Sequence, residues 1–370
     1  MLRIMAQARK ELIQTFRDKL TLALALLLPL ILVALYGKSI SFSVTGVPVM
    51  IQDFDQTARS RQYVEILMES QTFRLANTGL YTKPETALAS EAARAIVTIP
   101  TNFERNLARG LNTEVQWLID GTDANTATIL RGDAAAITQA FLSQNGIRTT
   151  TMSPSVQVET RIWFNPGRET DKYIGPGAMA VVLALFPPLL AALAMSRENE
   201  QKTILQVYVS SISAHEYLLG KTIAFFLVGM AEWVLVVLFG MLLFGLRFAG
   251  DPTPFLVGTV VYLFCNVAFG VMTGARIKDQ AATIQTIATV CFLLSFLLSG
   301  FIFPVSNIPD AIRWVAYFVP ARYFIEIARD AFVRGGGWSA VWTAHVALTL
   351  LGVMYLVIAW RKMRQMQLAD

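Results

Sequence analysis

The sequence predicts an α-helical polytopic membrane protein with six transmembrane helices, arranged as one plus five around a long polar insert. Hydrophobic residues make up 54% of the chain and charged residues only 15%, against about 25% charged in ordinary soluble domains. A bilayer core about 30 Å thick needs about 20 mostly apolar residues in a helix. Six stretches approach that length, and they are Leu20–Tyr36, Ile174–Met195, Thr222–Phe244, Phe255–Thr273, Ala281–Phe303 and Val341–Trp360.

An amphipathic helix is predicted for residues 1–19. It leads into the first span, which we place over residues 20–42. Basic side chains lie roughly opposite an apolar face, so the helix would lie in the inner headgroup layer of the lipid bilayer. Two interpretations stay open: a simple anchor that sets the topology, or an elbow that packs against a partner on the cytoplasmic face. No small-x-small cleavage site follows the first apolar stretch, so we expect it to remain as a span. The apolar face comprises Leu2, Met5, Ala8, Leu12, Phe16 and Leu20.

The distribution of Lys and Arg predicts the orientation of the spans. The N-terminal segment, the C-terminal segment and the loops after spans two and four carry 13 Lys and Arg, whereas the opposite short segments carry 5. Positive residues concentrate on the cytoplasmic side of membrane proteins. We therefore expect a multi-pass membrane protein with both termini cytoplasmic and residues 43–172 on the outside.

The insert predicts a small α/β domain over residues 43–172, because strand-like and helix-like segments alternate between turn residues. The capping-box pattern of Thr101 and Glu104 predicts the start of its third helix. Thr122 and Asp123 are interpreted as the cap of its fourth helix, and the Asp120–Asp123 run lacks the spacing of a calcium loop. The predicted strands are Val47–Ile51, Thr72–Ala76, Ala95–Ile99, Val115–Ile119 and Val156–Phe164, and the predicted helices are Ser60–Ser70, Glu85–Ala93, Asn102–Arg109 and Ala124–Gln144.

Several function classes receive no support from the sequence. The two cysteines and two histidines do not have metal-ligand spacing. Gly220-Lys221-Thr222 resembles the end of a phosphate-binding loop, but His215 stands where that motif needs a glycine. The net charge of +5 follows from the membrane anchors, so it implies no nucleic-acid partner. We expect no cofactor in this chain and no enzymatic activity, so any energy from ATP must come from another subunit.

One acidic residue, Glu232, falls near the middle of a predicted span. A carboxylate at the bilayer centre costs about 2.5–3.5 kcal/mol on insertion scales, so it should face the bundle interior or a water-filled path. The functional interpretation is a cation-attracting or proton-linked group on a translocation path. The structural interpretation is a hydrogen bond to a neighbouring span, with Asn266, Thr283 and Gln285 as candidate partners. His345 is interpreted as an interfacial or packed histidine.

Several motifs recur around these spans, and together they carry a resemblance. Asp53-Phe54-Asp55-Gln56 follows the first strand, Ile99-Pro100-Thr101-Asn102-Phe103 the third, and Trp163-Phe164-Asn165-Pro166 precedes the second span. Ser299-Gly300-Phe301-Ile302-Phe303-Pro304, Asn307-Ile308-Pro309 and Pro320-Ala321-Arg322-Tyr323-Phe324 follow the fifth span. With the one-plus-five layout, the chain resembles ABC-2 type transporter permeases, the membrane subunits of bacterial ABC exporters, over essentially its whole length. The nearest similarity is to permeases of multidrug-type exporters with membrane-fusion partners.

The resemblance implies that residues 197–221, the coupling segment, contact an ABC ATPase on the cytoplasmic side. Two departures alter the expected bend: Lys202 replaces the usual glycine before the threonine, and Ser210-Ser211 replaces a central proline. We expect the acidic head of the segment, Glu198 and Glu200, to meet a groove on the ATPase. The residues assigned to ATPase coupling are Arg197, Glu198, Glu200, Lys202, Thr203, Ser211, His215 and Glu216.

Residues 305–338, the hairpin segment, predict two short amphipathic helices outside the fifth span. Pro309 suits a first helical turn and Pro320 a break between the helices. Spacing predicts ion pairs between Arg322 and Glu326 and between Asp330 and Arg334. The resemblance implies a re-entrant hairpin that closes the path from outside, whereas two helices lying flat on the membrane remain the alternative. The gate residues are Pro304, Pro309, Pro320, Arg322 and Glu326.

The expected function is therefore half of an ATP-driven exporter. Two permeases, identical or homologous, would form the conduit for amphipathic or hydrophobic compounds, two ATPase subunits would dock below, and the external domain could dock a periplasmic membrane-fusion adaptor. The alternative function is a membrane-anchored sensor or adaptor whose external domain binds a ligand without transport.

Overall fold

The computed structural model describes residues 2–39, 46–77, 83–121, 124–146, 169–210 and 212–364. The chain divides into two compact units, one formed by Met1–Ile40 with Ile162–Asp370 and the other by Ser41–Arg161. The predicted strand Val156–Phe164, the Thr122–Asp123 cap and Ser211 lie outside the described residues.

The first unit is a bundle of helices whose order follows the hydropathy of the sequence. Five helical segments are long and apolar enough to cross a membrane: Thr170–Glu200, Ala214–Phe244, Thr253–Gly274, Gln280–Leu298 and Trp338–Met363. The helix that corresponds to the first predicted span is Lys19–Ser39, and its apolar part, Ala25–Gly37, is shorter than the other five. The helices, in chain order, are α1 (Leu2–Arg17), α2 (Lys19–Ser39), α7 (Thr170–Glu200), α8 (Ile204–Val209), α9 (Ala214–Phe244), α10 (Thr253–Gly274), α11 (Gln280–Ile287), α12 (Leu294–Leu298), α13 (Asp310–Arg313), α14 (Pro320–Arg329) and α15 (Trp338–Met363), with α3–α6 in the other unit.

Helix α7 is the central helix of the bundle. In its most apolar window 78% of the residues are buried, against 17–61% in the other four long segments. Those segments keep apolar side chains on their outer faces, among them Leu242 and Leu350, which are 85% and 66% exposed. Apolar side chains that face outward around a packed centre are what a lipid-facing bundle requires, because no hydrophobic force drives them inward in lipid.

Close backbone packing joins α7 to α10. A Cβ atom built on Gly270 would lie 2.7 Å from the Cα of Pro188 and 2.8 Å from its carbonyl carbon. Glycine is the residue that permits this approach, as at other interfaces between membrane helices. The contact positions α10 against the kink-prone Pro187-Pro188 pair of α7.

The predicted fifth span, Ala281–Phe303, is longer than the helix that forms there. Helix α11 runs into a π-helical turn at Ala288–Leu293 and then into α12, which ends at Leu298. Gly300 has φ +85°, a left-handed conformation that glycine adopts without strain, so the chain leaves the helix before Phe303.

The second unit contains a four-stranded sheet with strand order β2-β1-β3-β4. Its strands are β1 (Val47–Asp53), β2 (Phe73–Leu75), β3 (Ala95–Ile99) and β4 (Gln116–Ile119). β1 pairs in parallel with β2 and β3, and β3 pairs antiparallel with β4. The main core joins sheet residues such as Val49 and Val97 to Tyr63, Leu130 and Phe141. The last three lie on the helices α3 (Ala58–Glu69) and α6 (Ala124–Gln144), which accompany α4 (Pro84–Ala89) and α5 (Phe103–Ala108).

The predicted capping box at Thr101 is wrong. Asn102 is the N-cap of α5, with φ +64° and no side-chain cap of its own. The backbone N–H groups of Phe103 and Glu104 instead donate to the Asp55 carboxylate, each over 3.0 Å. A capping box does form at α3, between Thr57 and Ser60. The capping-box pattern considers only residues close together in the sequence, whereas the carboxylate that caps α5 belongs to Asp55, which follows β1.

Asp55→Ala is expected to destabilise the first turn of α5. Burial raises the pKa of the Asp55 carboxyl, but hydrogen bonds from Thr57, Glu104 and Phe103 outweigh this and hold the pKa below its ordinary value. Loss of such a charged cap costs about 1 to 2 kcal/mol. Hydrogen exchange of a peptide covering α5, followed by mass spectrometry in the full chain, should become faster.

The effect of Asp55→Ala should depend on pH. Because the folded-state pKa is lowered, the stabilisation is present above the ordinary aspartate pKa of about 3.9 and is lost as the pH falls through the lowered value. Exchange in α5 should therefore differ between the two proteins at neutral pH and converge in acid. An equal difference at both pH values would contradict the role assigned to the charge.

Candidate functional site

The coupling segment is largely helical rather than an extended polar loop. Helix α7 continues through Glu200, α8 covers Ile204–Val209, and α9 begins at Ala214. Lys202 has φ +58°, a left-handed conformation that glycine adopts without strain. The backbone therefore keeps the bend expected of a glycine at this position, although the side chain is that of lysine.

Helix α8 and its flanks form an exposed surface between α7 and α9. Val209, the last residue of α8, is 87% exposed. Exposed polar and charged side chains also lie on α8 and its flanks, and they are Lys202, Thr203, Gln206, Ser210 and His215. We call these six residues the α8 surface. Exposed apolar and polar side chains together are the composition of a protein-binding patch.

Two of the predicted coupling residues have roles within the chain. Glu216 forms a capping box with Ser213 at the start of α9 and lies 3.9 Å from Arg3 of α1. Glu200 accepts hydrogen bonds from the backbone N–H and the side-chain amide of Gln280, over 2.9 and 3.1 Å. Glu200 is nevertheless exposed, and its position ties the end of α7 to the start of α11.

Glu198 is buried and lies in a cluster of charges that the sequence did not reveal. The Lys221 ammonium lies 2.9 Å from Glu11 Oε1 and 3.3 Å from Glu198 Oε2, with side-chain exposures of 0, 4 and 9%. Lys10 and the Tyr217 hydroxyl also donate to Glu198. We call Lys10, Glu11, Glu198 and Lys221 the charge cluster. The predicted contact of Glu198 with a partner's groove is incompatible with this burial.

The charge cluster contains two basic and two acidic residues, and these charges shift the pKa of its most exposed member, Lys10. Burial lowers the pKa of Lys10, but the hydrogen bond and charge of Glu198, with those of Glu11, outweigh it and raise the pKa above its ordinary value. Arg197 completes the surroundings, with Nη1 3.5 Å from Asp18. A cavity of about 220 Å³ adjoins these groups, and α1, α7, α8 and α9 contribute its walls.

Helix α1 packs against α9 with a mostly polar side that borders its apolar face. Gln7, Glu11 and Thr15 are buried, whereas Leu2 and Phe16 are 90% and 62% exposed. A Cβ atom on Gly220 would lie 2.7 Å from the Cβ of Gln7, so the two helices are in close contact there. Leu2, Met5 and Phe16 remain free to face lipid, whereas Ala8 is buried and Leu12 packs against the core of the bundle.

Glu232 is buried at 1% exposure near the middle of α9. Within the part of the chain that the structure describes, neither carboxylate oxygen has a hydrogen-bond partner. The predicted partners are engaged or located elsewhere: Asn266 donates to the Leu183 carbonyl, Thr283 to the Asp279 carbonyl, and Gln285 is exposed. A buried polar group without a partner costs free energy, so packing alone does not explain a glutamate here.

The hairpin segment contains α13, α14 and short 3₁₀ turns, and its predicted ion pairs do not form. Pro309 immediately precedes α13, and Pro320 is the first residue of α14. The Arg322 guanidinium lies 4.3 Å from the Tyr317 ring centroid, and Glu326 is exposed. Pro304 precedes the 3₁₀ turn at Val305–Asn307.

Two charged residues of this region have partners that spacing did not predict. Arg329 donates to the carbonyls of Gly300 and Phe301 over 2.9 and 3.0 Å and stacks on Tyr173. Asp330 accepts from the backbone N–H groups of Gly336 and Gly337 rather than pairing with Arg334. These contacts fix the hairpin segment to α7 and to the residues after α12. His345 is packed between the Val341 and Pro254 carbonyls, within 2.8 and 2.9 Å.

Comparison with known proteins assigns this architecture to one family. Residues 19–361 match the family model described as ABC-2 family transporter protein. The chain is 26% identical to the probable multidrug ABC transporter permease YbhS of Escherichia coli, covering 98% of this chain and 97% of that protein. It is 24% identical to the probable multidrug ABC transporter permease YbhR of Escherichia coli, with coverages of 92 and 93%. It is 20% identical to the linearmycin resistance permease protein LnrN of Bacillus subtilis, with coverages of 90 and 92%.

Proposed function

We propose a function that proceeds from one premise: this chain belongs to the ABC-2 family of transporter proteins. It is the permease subunit of an ATP-driven exporter in the bacterial inner membrane, with six spans and both termini in the cytoplasm. Family membership implies association with ABC ATPase subunits. Two permeases form the conduit, and ATP binding to two separate ATPase subunits drives it.

The observation that carries this proposal is the α8 surface. Helix α8 lies between the long apolar helices α7 and α9 in the chain and ends in an exposed valine. Because α8 joins these two helices, a soluble partner that binds and displaces α8 would move both of them. Lys202 and Thr203 begin this surface and His215 ends it, so four of the predicted coupling residues, counting Glu200, remain exposed for contact. Glu198 and Glu216 act from within the chain.

Val209→Asp is the direct test of ATPase docking at the α8 surface. A charge at the apolar centre of an interface costs about 2 kcal/mol or more, so co-purification with the ATPase should fall about thirtyfold. Permease-stimulated ATP hydrolysis should fall with it. The matched control is Leu111→Asp, since Leu111 is an apolar residue of the Ser41–Arg161 unit that is 54% exposed and lies outside the spans; if both variants lose the ATPase equally, the contact does not lie at α8.

The proposed orientation makes a separate prediction about labelling. Single cysteines at the exposed positions Glu85 and Glu326 should react with a membrane-impermeant maleimide in intact spheroplasts, and one at Lys202 only after permeabilisation. Cys265→Ala and Cys291→Ala remove the native thiols. Reaction of the Lys202 position from outside would invert the topology and exclude cytoplasmic ATPase docking at α8.

The proposed cargo is an amphipathic or hydrophobic compound, because three relatives are named as multidrug or linearmycin-resistance permeases. Glu232 is assigned to the translocation path, since a buried carboxylate without a partner in the described bundle is suited to receive a cationic group. The hairpin segment, with Pro304, Pro309, Pro320, Arg322 and Glu326, is assigned to the external gate. A periplasmic membrane-fusion adaptor is the proposed partner of the Ser41–Arg161 unit.

The alternative, a ligand sensor without transport, has less support in that unit. In open sheets, ligands bind beyond the carboxyl ends of parallel strands, at the point where the connections diverge. β1 and β3 form such a pair. Asp55 follows β1 and places its own carboxylate on the N-terminus of α5, the position that an anionic ligand would take.

A further inference from the structure

The charge cluster joins three helices at a single ammonium group. Lys221 is on α9, Glu198 on α7 and Glu11 on α1, and the Lys221 side chain is fully buried. A third contact, 3.2 Å to the Ala194 carbonyl of α7, uses the last of the three ammonium donors. A lysine with every donor engaged in a buried site holds its neighbours in one arrangement, because losing a partner leaves a buried charge unsatisfied.

The position of the charge cluster relates it to α8. Glu198 lies at the end of α7 that leads into α8, and Lys221 lies about two turns after the start of α9, the helix that follows α8. The two helices that flank α8 are thus bridged directly, so α8 cannot move one of them alone without separating buried charges. Glu11 adds α1, which has no covalent connection to α8 nearby.

We propose that Lys221 is a positioning residue for energy coupling: its ion pairs with Glu11 and Glu198 make the adjoining ends of α1, α7 and α9 move as one body when α8 is displaced. This inference rests on the proposed function, because displacement of α8 is attributed to an ATPase. It adds α1 to the coupling apparatus and explains why a membrane-bordering helix buries Gln7 and Glu11 while Leu2 stays exposed.

The three buried members of the charge cluster can be replaced together without leaving a buried charge unpaired, while Lys10, whose side chain is half exposed, is kept. Lys221→Met alone leaves two buried carboxylates without their cation, which is strongly destabilising, whereas replacing a buried ion pair or triad as a whole by neutral groups of similar volume is often tolerated. The informative protein is therefore the triple variant Lys221→Met, Glu11→Gln, Glu198→Gln. Lys221→Arg retains the charge, and Lys362→Met removes an exposed lysine from the end of α15 as the matched control.

The test measures ethidium, a fluorescent amphipathic cation, transported per ATP hydrolysed in proteoliposomes that contain the permease with its ATPase. The triple variant should bind the ATPase as the unchanged protein does, since the α8 surface is intact, and transport about tenfold less ethidium per ATP. The amount of ethidium transported per ATP should stay close to that of the unchanged protein in Lys221→Arg and should be unchanged in Lys362→Met. A triple variant with an unchanged ratio would overturn the positioning role.

A second measurement separates this inference from the proposed function. Spin labels at Met5 on α1 and Leu219 on α9, both exposed, report the distance between these helices by double electron–electron resonance, in a background with Cys265→Ala and Cys291→Ala. The distance distribution should be narrow in the otherwise unchanged protein and broad in the triple variant. Equal widths overturn the positioning role whether or not the protein transports ethidium. If the distances broaden in the triple variant but the unchanged protein does not transport ethidium, only the proposed function is contradicted.

Discussion

Gly270→Ala is expected to lower the free energy of unfolding by about 3 kcal/mol, at the upper end of the cost of overpacking a core. The added methyl would lie 2.7 Å from the Cα of Pro188 and press on the backbone carbonyl of that residue. Backbone atoms cannot rotate away as a side chain can, so α10 must separate from α7. Because α7 is buried on nearly every side, that separation disturbs the whole bundle.

Thermal unfolding of the detergent-solubilised protein, followed by size-exclusion fluorescence, measures this effect. Gly240→Ala is the matched control, since Gly240 also lies inside a long apolar helix and its added methyl would meet Met179 Sδ at 2.5 Å. A methionine side chain is flexible and can move aside, so this variant should lose less than about 1 kcal/mol. Equal losses in the two variants would show that backbone contact at Pro188 is not the cause.

Glu232→Leu is expected to raise the stability of the protein and to lower its transport of a cation. Because its carboxylate is buried without a hydrogen-bond partner in the described residues, Glu232→Leu removes a costly polar group and should raise the free energy of unfolding by about 1 to 3 kcal/mol. The structural interpretation, a hydrogen bond to a neighbouring span, would instead predict destabilisation through an orphaned partner, and the described residues provide no such partner. Glu232→Gln should be close to neutral for stability.

Transport should respond to the charge at position 232. Export of ethidium should fall about tenfold in both variants, because a low-dielectric path then lacks a negative group for the cation. Export of a neutral fluorescent amphiphile such as Nile red should persist at matched expression. If Glu232→Gln loses ethidium and Nile red export equally, the electrostatic role is wrong.

The sequence determined the features that depend on local composition. Apolar length placed the helices: the predicted spans Phe255–Thr273 and Val341–Trp360 lie inside α10 and α15. Short apolar runs bounded by turn residues placed strands such as Ala95–Ile99, which β3 matches residue for residue. The motifs around them identified the family. These signals are readable because hydropathy and backbone preference act over a few residues and do not require knowledge of neighbours in space.

The tertiary structure decided which polar groups meet. Helix spacing predicted the pair Arg322–Glu326, yet Arg322 stacks on Tyr317, and Asp55 caps α5 from 48 residues away. In the sequence, Lys221 had no assigned partner and only resembled the lysine of a phosphate-binding loop. In the structure, α1 and α7 place Glu11 and Glu198 beside it. A charge takes the partner that best offsets its loss of water, and that partner depends on which helices pack together. Packing likewise left Glu232 without a partner in the described bundle, where the sequence offered three.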